Sequence, residues 1–245
     1  KTLFVARDRL GIKPLFYSVK DNNYYFASDI KSLWQKIDPS QLNHNAILDF
    51  FGQGYISKKE TSTKGIYKFP NAHYWILSKD KIGSPKRYWD LEYKENFKTN
   101  FKDAVEQTEL LIEDSVRIRM RSDVPIGTFL SGGIDSTIVT GVTKKLLGRD
   151  LNTFSVGFDN SKYDESRFSF SVAKKLNTNH ENIKLDKSAL DNLPSIVWHY
   201  SELYSDSSSL PTFYVSKLAS KKLKVVLTGD GADEIFGGYL DPYAY

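Results

Sequence analysis

Residues Ile126–Ser136 read IGTFLSGGIDS. Ile126–Leu130 is a short apolar run with strand character, and it ends in Ser131, Gly132 and Gly133. A helix is expected to open at Asp135 or Ser136. Glycine admits backbone conformations closed to other residues and lets a ligand approach the amides. A helix start adds unpaired N–H groups and the positive end of the helix dipole. Together they form an anion site suited to a nucleotide phosphate, although a Gly-Gly pair between strand and helix is also an ordinary tight turn. Ser131 and Ser136 add hydroxyl donors. Asp135 would repel phosphate unless a cation such as Mg²⁺ stands between them. No GxxxxGK[ST] pattern is present, so the loop is not of the Walker A kind.

Outward from this stretch, the chain alternates. Strand Ile126–Leu130 is followed by helix Ser136–Leu147, closed by Gly148. Strand Thr153–Phe158, helix Asp164–Leu176 and strand Glu181–Leu185 come next. Helices near Ala189–Tyr200 and Thr212–Ser220 precede strand Lys224–Thr228. Such alternation predicts βαβ units and a parallel sheet, with ligands at the carboxyl ends of the strands. Before it, Phe101, Ala104, Val105, Thr108, Leu111, Ile112, Ser115 and Val116 form one helical stripe.

Residues 1–90 read differently. Leu3–Ala6, Leu15–Ser18, Tyr24–Ala27, Ile66–Phe69 and Tyr74–Leu77 are short strand-like runs between turn residues, with a short helix at Ala46–Phe51. An antiparallel, layered and incomplete domain is expected. Asp90–Asn100 is polar and unpatterned, as in a linker.

Composition sets bounds. The 245 residues carry a net charge of +4, with basic residues spread along the chain, so no nucleic-acid partner is implied. Zero cysteines exclude disulfides, thiolate metal sites and cysteine nucleophiles within these residues, and fit a cytoplasmic setting. No run reaches membrane-spanning length. A start at Lys1 rather than Met reads as a fragment. The four histidines lack metal-ligand spacing and read as structural or surface residues. Arg117, Arg119 and Arg121 read as a salt-bridged helix face.

A second glycine-rich, acidic loop follows strand Lys224–Thr228: Gly229-Asp230-Gly231-Ala232-Asp233-Glu234. It reads as a solvated turn or as a Mg²⁺ site. Asp135 and Asp233 can share a Mg²⁺ if both loops end on one side of one sheet.

Four stretches carry a resemblance: VRIRMRSDVPIGTFLSGGIDST (Val116–Thr137), TFSVGFDNSKYDES (Thr153–Ser166), VVLTGDGADEIFGGY (Val225–Tyr239), and ARDRLGIKPLFY (Ala6–Tyr17) with FASDIKSL (Phe26–Leu33). In their order along the chain they resemble glutamine-hydrolysing asparagine synthetases of the bacterial type. The resemblance implies an N-terminal-nucleophile (Ntn-type) glutaminase domain, here its later part, over 1–90, and a linker over 91–100. A PP-loop ATP pyrophosphatase domain, truncated at its C-terminus, would occupy 101–245. It implies adenylation of aspartate by ATP to β-aspartyl-AMP, release of pyrophosphate, and attack by ammonia from glutamine. It also implies ATP and Mg²⁺ as cofactors, and it admits a homodimer.

By the same resemblance, Ser131, Gly132, Gly133, Asp135 and Ser136 hold pyrophosphate. The backbones of Leu130 and Val156 hold adenine, and Thr228 and Gly229 contact ATP. Asp230 serves the acyl-adenylate step, although some relatives carry Glu there. Asp135 and Asp233 bind the metal, and Asp8 grips the α-amino group of glutamine. Ser205–Leu210 reads as a loop before a helix opened by Pro211, and the resemblance sets Asp206 near the substrate. Two departures stand out. The family's N-terminal cysteine nucleophile has no counterpart here, and the chain stops before the family's helices that carry a lysine at the reacting centre. β-Lactam synthetase-like cyclases, peptide- or sugar-modifying amidotransferases and a non-catalytic relative share these motifs as alternatives.

Overall fold

The computed structural model describes residues 1–78, 83–94, 99–159 and 164–239. Parts of three expectations lie outside the described residues: 95–98 of the linker, 160–163 of the TFSVGFDNSKYDES stretch, and the end of the second domain from 240. The chain forms two compact units, one of Lys1–Glu95 with Leu193–Ser207, the other of Asn96–Asn192 with Ser208–Tyr245.

In the first unit, β1 (Thr2–Ala6), β2 (Phe16–Lys20) and β3 (Asn23–Ala27) lead to a four-residue helix α1 (Ile30–Leu33) and to α2 (His44–Gln53). Then come β4 (Ile66–Lys68), β5 (His73–Ser78) and β6 (Lys86–Arg87). They pair antiparallel into two sheets of order β1-β5-β6 and β3-β2-β4. Side chains alternate across a strand, so each strand offers two faces. Phe69, Trp75 and Leu77 form a core with Val5, Tyr17, Tyr24 and Phe26. Tyr17 and Tyr24 meet Trp75 edge-on, at ring separations of 5.6 and 5.3 Å. The other face of β2-β3-β4 packs Phe16, Tyr25 and Ala27 on Ile30, Leu33 and Ile66. Neither α1 nor β6 was expected. Both are too short to show a period, and Asp29 caps α1 by accepting from the Lys31 amide.

In the second unit, Asn100 caps α3 (Phe101–Arg119) by accepting from the Asp103 amide at 2.9 Å. The expected stripe on α3 is covered in part: Val116 is buried and Ala104, Thr108, Ile112 and Ser115 are half-buried, whereas Phe101, Val105 and Leu111 are exposed. The helical period is present, but the helix meets α4 (Ile134–Leu147) over a limited surface that includes the Lys145–Glu113 ion pair at 2.8 Å. Arg117 pairs with Glu113 at 2.6 Å, in keeping with a salt-bridged face.

Strands β7 (Ile126–Phe129), β8 (Asn152–Phe158), β9 (Asn179–Leu185) and β10 (Val225–Leu227) form one parallel sheet of order β10-β7-β8-β9. Helix α5 (Ser166–Leu176) joins β8 to β9. After β9 come a 3-10 turn (Lys187–Asn192), α6 (Leu193–Tyr200) and α7 (Ser209–Ala219). The fold is mixed α/β with a parallel sheet. The chain moves one way from β7 to β9 and then returns to the far side of β7 for β10. Order therefore reverses between β7 and β10, and the carboxyl ends there are where an open α/β sheet leaves a crevice.

Pro211 does not open α7, as the sequence suggested. The helix begins at Ser209, and proline sits in its first turn, where its missing N–H has no intrahelical partner to lose. The stretch 193–207 packs in the first unit although it falls late in the sequence. Ser62 N donates to Glu202 Oε1 at 3.2 Å, Ser201 Oγ to Asp29 Oδ2 at 3.0 Å, and Ser205 Oγ to the Gly54 carbonyl at 3.0 Å.

The two faces of the parallel sheet differ in chemistry. One is apolar, with Phe154 buried among Val215, Ala219 and Leu223. The other is hydroxyl-rich. Thr128 and Thr140 share a 2.9 Å hydrogen bond, and Ser169 Oγ donates to Ser155 Oγ. The His180 ring lies between Thr153 Oγ1 at 2.9 Å and Ser155 Oγ at 3.1 Å. Burial lowers the His180 pKa, with Glu181 opposing it weakly. A base with a depressed folded-state pKa contributes stability above its unfolded value of about 6.5 and loses it as pH falls below that. The melting temperature of the wild type is therefore expected to fall more steeply than that of His180→Gln as pH drops below about 6.5. Parallel pH profiles in thermal denaturation would count against this.

Candidate nucleotide site at the ends of β7 and β10

The ladder of β7 runs one residue past the strand, where Leu130 N donates to the Phe154 carbonyl at 2.8 Å. The chain then turns sharply. Gly132 has φ +91°, and a Cβ there would lie 2.6 Å from Ser169 N and 2.7 Å from the Phe168 carbonyl carbon. Only a residue without a side chain fits this approach to α5. Helix α4 opens at Ile134, a residue earlier than expected, with Gly133 as a cap that offers no side chain. Ser131 Oγ accepts from Gly133 N at 3.2 Å and shares a 2.9 Å hydrogen bond with Ser136 Oγ. Asp135 lies in the first turn of α4.

The second loop meets the first. Thr228 Oγ1 donates to Asp230 Oδ2 at 2.9 Å, which orients that carboxylate. A Cβ on Gly229 would sit 3.0 Å from both Asp135 Cβ and Ser136 N. The Ser131–Ser136 loop and the Thr228–Asp230 turn thus meet at the carboxyl ends of β7 and β10. Gly229→Ala is expected to push the loops apart by a few tenths of an ångström. Nucleotide affinity should fall about tenfold with little change in melting temperature, since a misplaced donor loses most of a hydrogen bond. Titration calorimetry checks this, and unchanged affinity would refute it.

The acidic stretch after Gly231 is a short helix, α8 (Ala232–Phe236), rather than a loop. Gly231 at φ +93° begins it and Gly237 at φ +66° ends it. Flanking glycines masked this one turn in the sequence. The Asp233 carboxylate folds over Gly238, whose missing side chain leaves room for it. Among the described residues no group of three or more His, Asp or Glu side chains forms a ready-made metal site.

A cavity of about 230 Å³ opens at the ends of β7 and β8. Leu130 and Val156 line it, as do Phe129, Phe154 and Phe158. Pro211, Thr212 and Val215 from α7 form another part of the wall. Glu165 also lines the cavity and was not anticipated. Its only sequence signal was its place beside Asp164 in the YDES stretch. Asp164 has a separate task. Its Oδ1 accepts from Ser166 N at 3.1 Å and Phe158 N at 3.3 Å. The Ser166 hydroxyl foremost, and then these amides, hold its pKa below the usual carboxylate value.

Asp8 lies in the first unit and closes its own turn, accepting from Ile12 N at 2.9 Å and Lys13 N at 3.0 Å. The Lys13 amide is the leading cause of its lowered pKa. Arg7 beside it is partly buried and donates to the carbonyls of Lys13, Phe69 and Gly11. Asp206, also in the first unit, accepts from the Tyr204 hydroxyl at 3.0 Å.

Residues 107–245 match the family model described as asparagine synthase, and residues 1–89 match that of the glutamine amidotransferase domain. A protein of Methanocaldococcus jannaschii provisionally named glutamine-hydrolysing asparagine synthetase 2 is 37% identical, over 97% of this chain and 47% of its own length. Asparagine synthetase [glutamine-hydrolyzing] 1 of Bacillus subtilis is 34% identical, over 97% of this chain and 37% of its own. Amidase chry2 of Gibberella zeae is 32% identical, over 97% of this chain and 38% of its own. The chain spans less than half the length of each of these relatives. It belongs to the asparagine synthase family.

Proposed function

We propose that this chain is part of a carbon–nitrogen ligase that amidates aspartate to asparagine. ATP adenylates the side-chain carboxylate to β-aspartyl-AMP, pyrophosphate leaves, and ammonia from glutamine attacks. The observation that carries this reading is the convergence of Ser131–Ser136 and Thr228–Asp230 at the point where strand order reverses, with Gly229 seated on Asp135 and Ser136. The matches to asparagine synthase and glutamine amidotransferase models support the division into a PP-loop ATP pyrophosphatase domain over 101–245, a linker over 91–100 and an Ntn-type glutaminase domain over 1–90.

A carboxylate is a poor electrophile, and adenylation gives it a good leaving group. In this reading Ser131, Gly132, Gly133 and Ser136 donate to the pyrophosphate as charge develops on it. The Leu130 and Val156 backbones hold the adenine, and Thr228 and Gly229 contact the rest of ATP. Asp230, held by Thr228, accepts a proton from the attacking nitrogen. In this reading Asp135 and Asp233 would hold Mg²⁺, an ion that is bound through one or two carboxylates and completes its shell with phosphate oxygens and water. Bound there, the ion would neutralise charge on the departing pyrophosphate.

Asp8 would bind the α-amino group of glutamine. The 245 residues contain no cysteine, so the nucleophile for glutamine hydrolysis would come from outside them. No helix among the described residues is long and apolar enough to cross a membrane, which accords with the cytoplasmic placement in this reading. A homodimer completes it, and light scattering on the full-length protein tests that part.

Full-length protein supplied with ATP, Mg²⁺ and ammonia is expected to release pyrophosphate and AMP only when aspartate is present, and to form asparagine in equal amount. Likeness to the amidase favours a second reading, in which the same adenylating site takes another carboxylic acid. ATP binding without aspartate-dependent pyrophosphate release would select that reading over the first.

A further inference from the structure

We propose that Glu165 selects the base of the bound nucleotide, accepting a hydrogen bond from the exocyclic amino group of adenine and so favouring ATP over GTP. This rests on reading the β7–β10 edge as an ATP site, and it adds a specificity determinant to that site.

The cavity wall is mostly apolar. Phe129, Phe154, Phe158, Val156 and Val215 offer the flat and aliphatic surfaces that suit a purine ring. Polar side chains on the wall are few. Ser131 is engaged with Ser136 and Gly133. The Ser155 hydroxyl is committed to Ser169, Asn182 and His180. Among the described residues Glu165 is the only charged side chain on the wall.

Nothing within the described residues engages its carboxylate. Glu165 stands at the cap position of α5 yet makes no side-chain capping bond, and the Phe168 amide that such a bond would use donates instead to the Glu165 main-chain carbonyl at 2.9 Å. It takes part in none of the ion pairs among the described residues. Glu165 is exposed, so water serves its carboxylate in the free protein; a carboxylate only accepts hydrogen bonds, so a ligand that displaces that water has to offer a donor in its place. It also repels phosphate, which the Ser131–Gly133 loop is built to take. The nucleoside end of the ligand is what remains. Adenine offers an amino group on the ring edge, where guanine offers a carbonyl oxygen. Acceptor facing acceptor is unfavourable, and mispaired polar groups in a ligand site discriminate strongly.

The test is nucleotide binding by full-length protein, with ATP, GTP, 2′-deoxyATP and purine riboside triphosphate, which lacks the amino group. Wild type is expected to bind ATP about tenfold or more tighter than either GTP or the riboside analogue. Glu165→Ala should weaken ATP and 2′-deoxyATP about tenfold and leave the analogue unchanged. Glu165→Gln, of the same shape and able to donate, should narrow the ATP-to-GTP ratio. Equal losses for all four nucleotides would overturn the proposal, as would a loss for ATP but not for 2′-deoxyATP, or no loss at all. If wild type binds no nucleotide, the nucleotide reading itself falls. If wild type binds ATP and the variants match it, only the role of Glu165 falls.

Discussion

Gly132→Ala is expected to abolish ATP binding by the full-length protein and to lower its thermal stability. Two effects add. At φ +91° an L-residue is strained, at roughly 1–2 kcal/mol. The added methyl would also lie 2.6 Å from Ser169 N and 2.7 Å from the Phe168 carbonyl carbon. Those are backbone atoms at the start of α5, so relief requires moving either the helix or the loop. If the loop moves, the Gly133 amide and the Ser131 and Ser136 hydroxyls lose their common focus. Gly148 supplies the control. It too is left-handed, at φ +63°, but its position has open space around it. Gly148→Ala should show the strain alone, about 1 kcal/mol, with ATP affinity unchanged. Denaturation and calorimetry on both variants separate strain from clash. Equal behaviour of the two would show that the packing of Gly132 on α5 does not matter.

Phe154→Ala is expected to remove about 3–5 kcal/mol from the unfolding free energy. Phe154 is fully buried and forms the middle of the apolar cluster with Val215, Ala219 and Leu223. It lies on an inner strand of the sheet, so little around it can close over the void. It also lines the nucleotide cavity, so the void would join that cavity and ATP would lose a wall as well. Urea denaturation measures the first effect, and a loss under about 1 kcal/mol would show that the cluster repacks freely.

Much of this was readable from the chain. Strands at Ile126, Thr153, Glu181 and Val225, separated by helical stretches, could pair in parallel only through crossovers. Gly-rich turns after two of those strands marked the edge where a ligand belongs. Order along the sheet was not readable, because nothing in a strand states its neighbour. The reversal that sets β10 against β7 is a tertiary fact, and with it the contact of Gly229 with Asp135. The same holds for 193–207, whose packing in the first unit rests on scattered contacts such as Glu202 with Ser62 and Trp198 with Trp34. The α3 stripe read correctly as a helix, Phe101–Arg119. Its period reports helix and not how much of the stripe a partner covers. Glu165 escaped notice because its significance lies in bonds it does not make. Only the geometry at the start of α5, where the Phe168 amide goes to the Glu165 carbonyl and not to its side chain, exposes that.

The hydroxyl-rich face of the parallel sheet bears on how this sequence can drift. Thr128 and Thr140 are both fully buried and satisfy each other across the strand–helix contact. A valine in place of either strands the other's hydroxyl away from water, which is worse than changing neither. Valine in both has the same shape and leaves nothing unpaired. Change at this contact is thus expected to arrive in pairs, with each single step selected against. The buried hydroxyls hold a memory in the lineage that an apolar core, forgiving of one exchange at a time, does not.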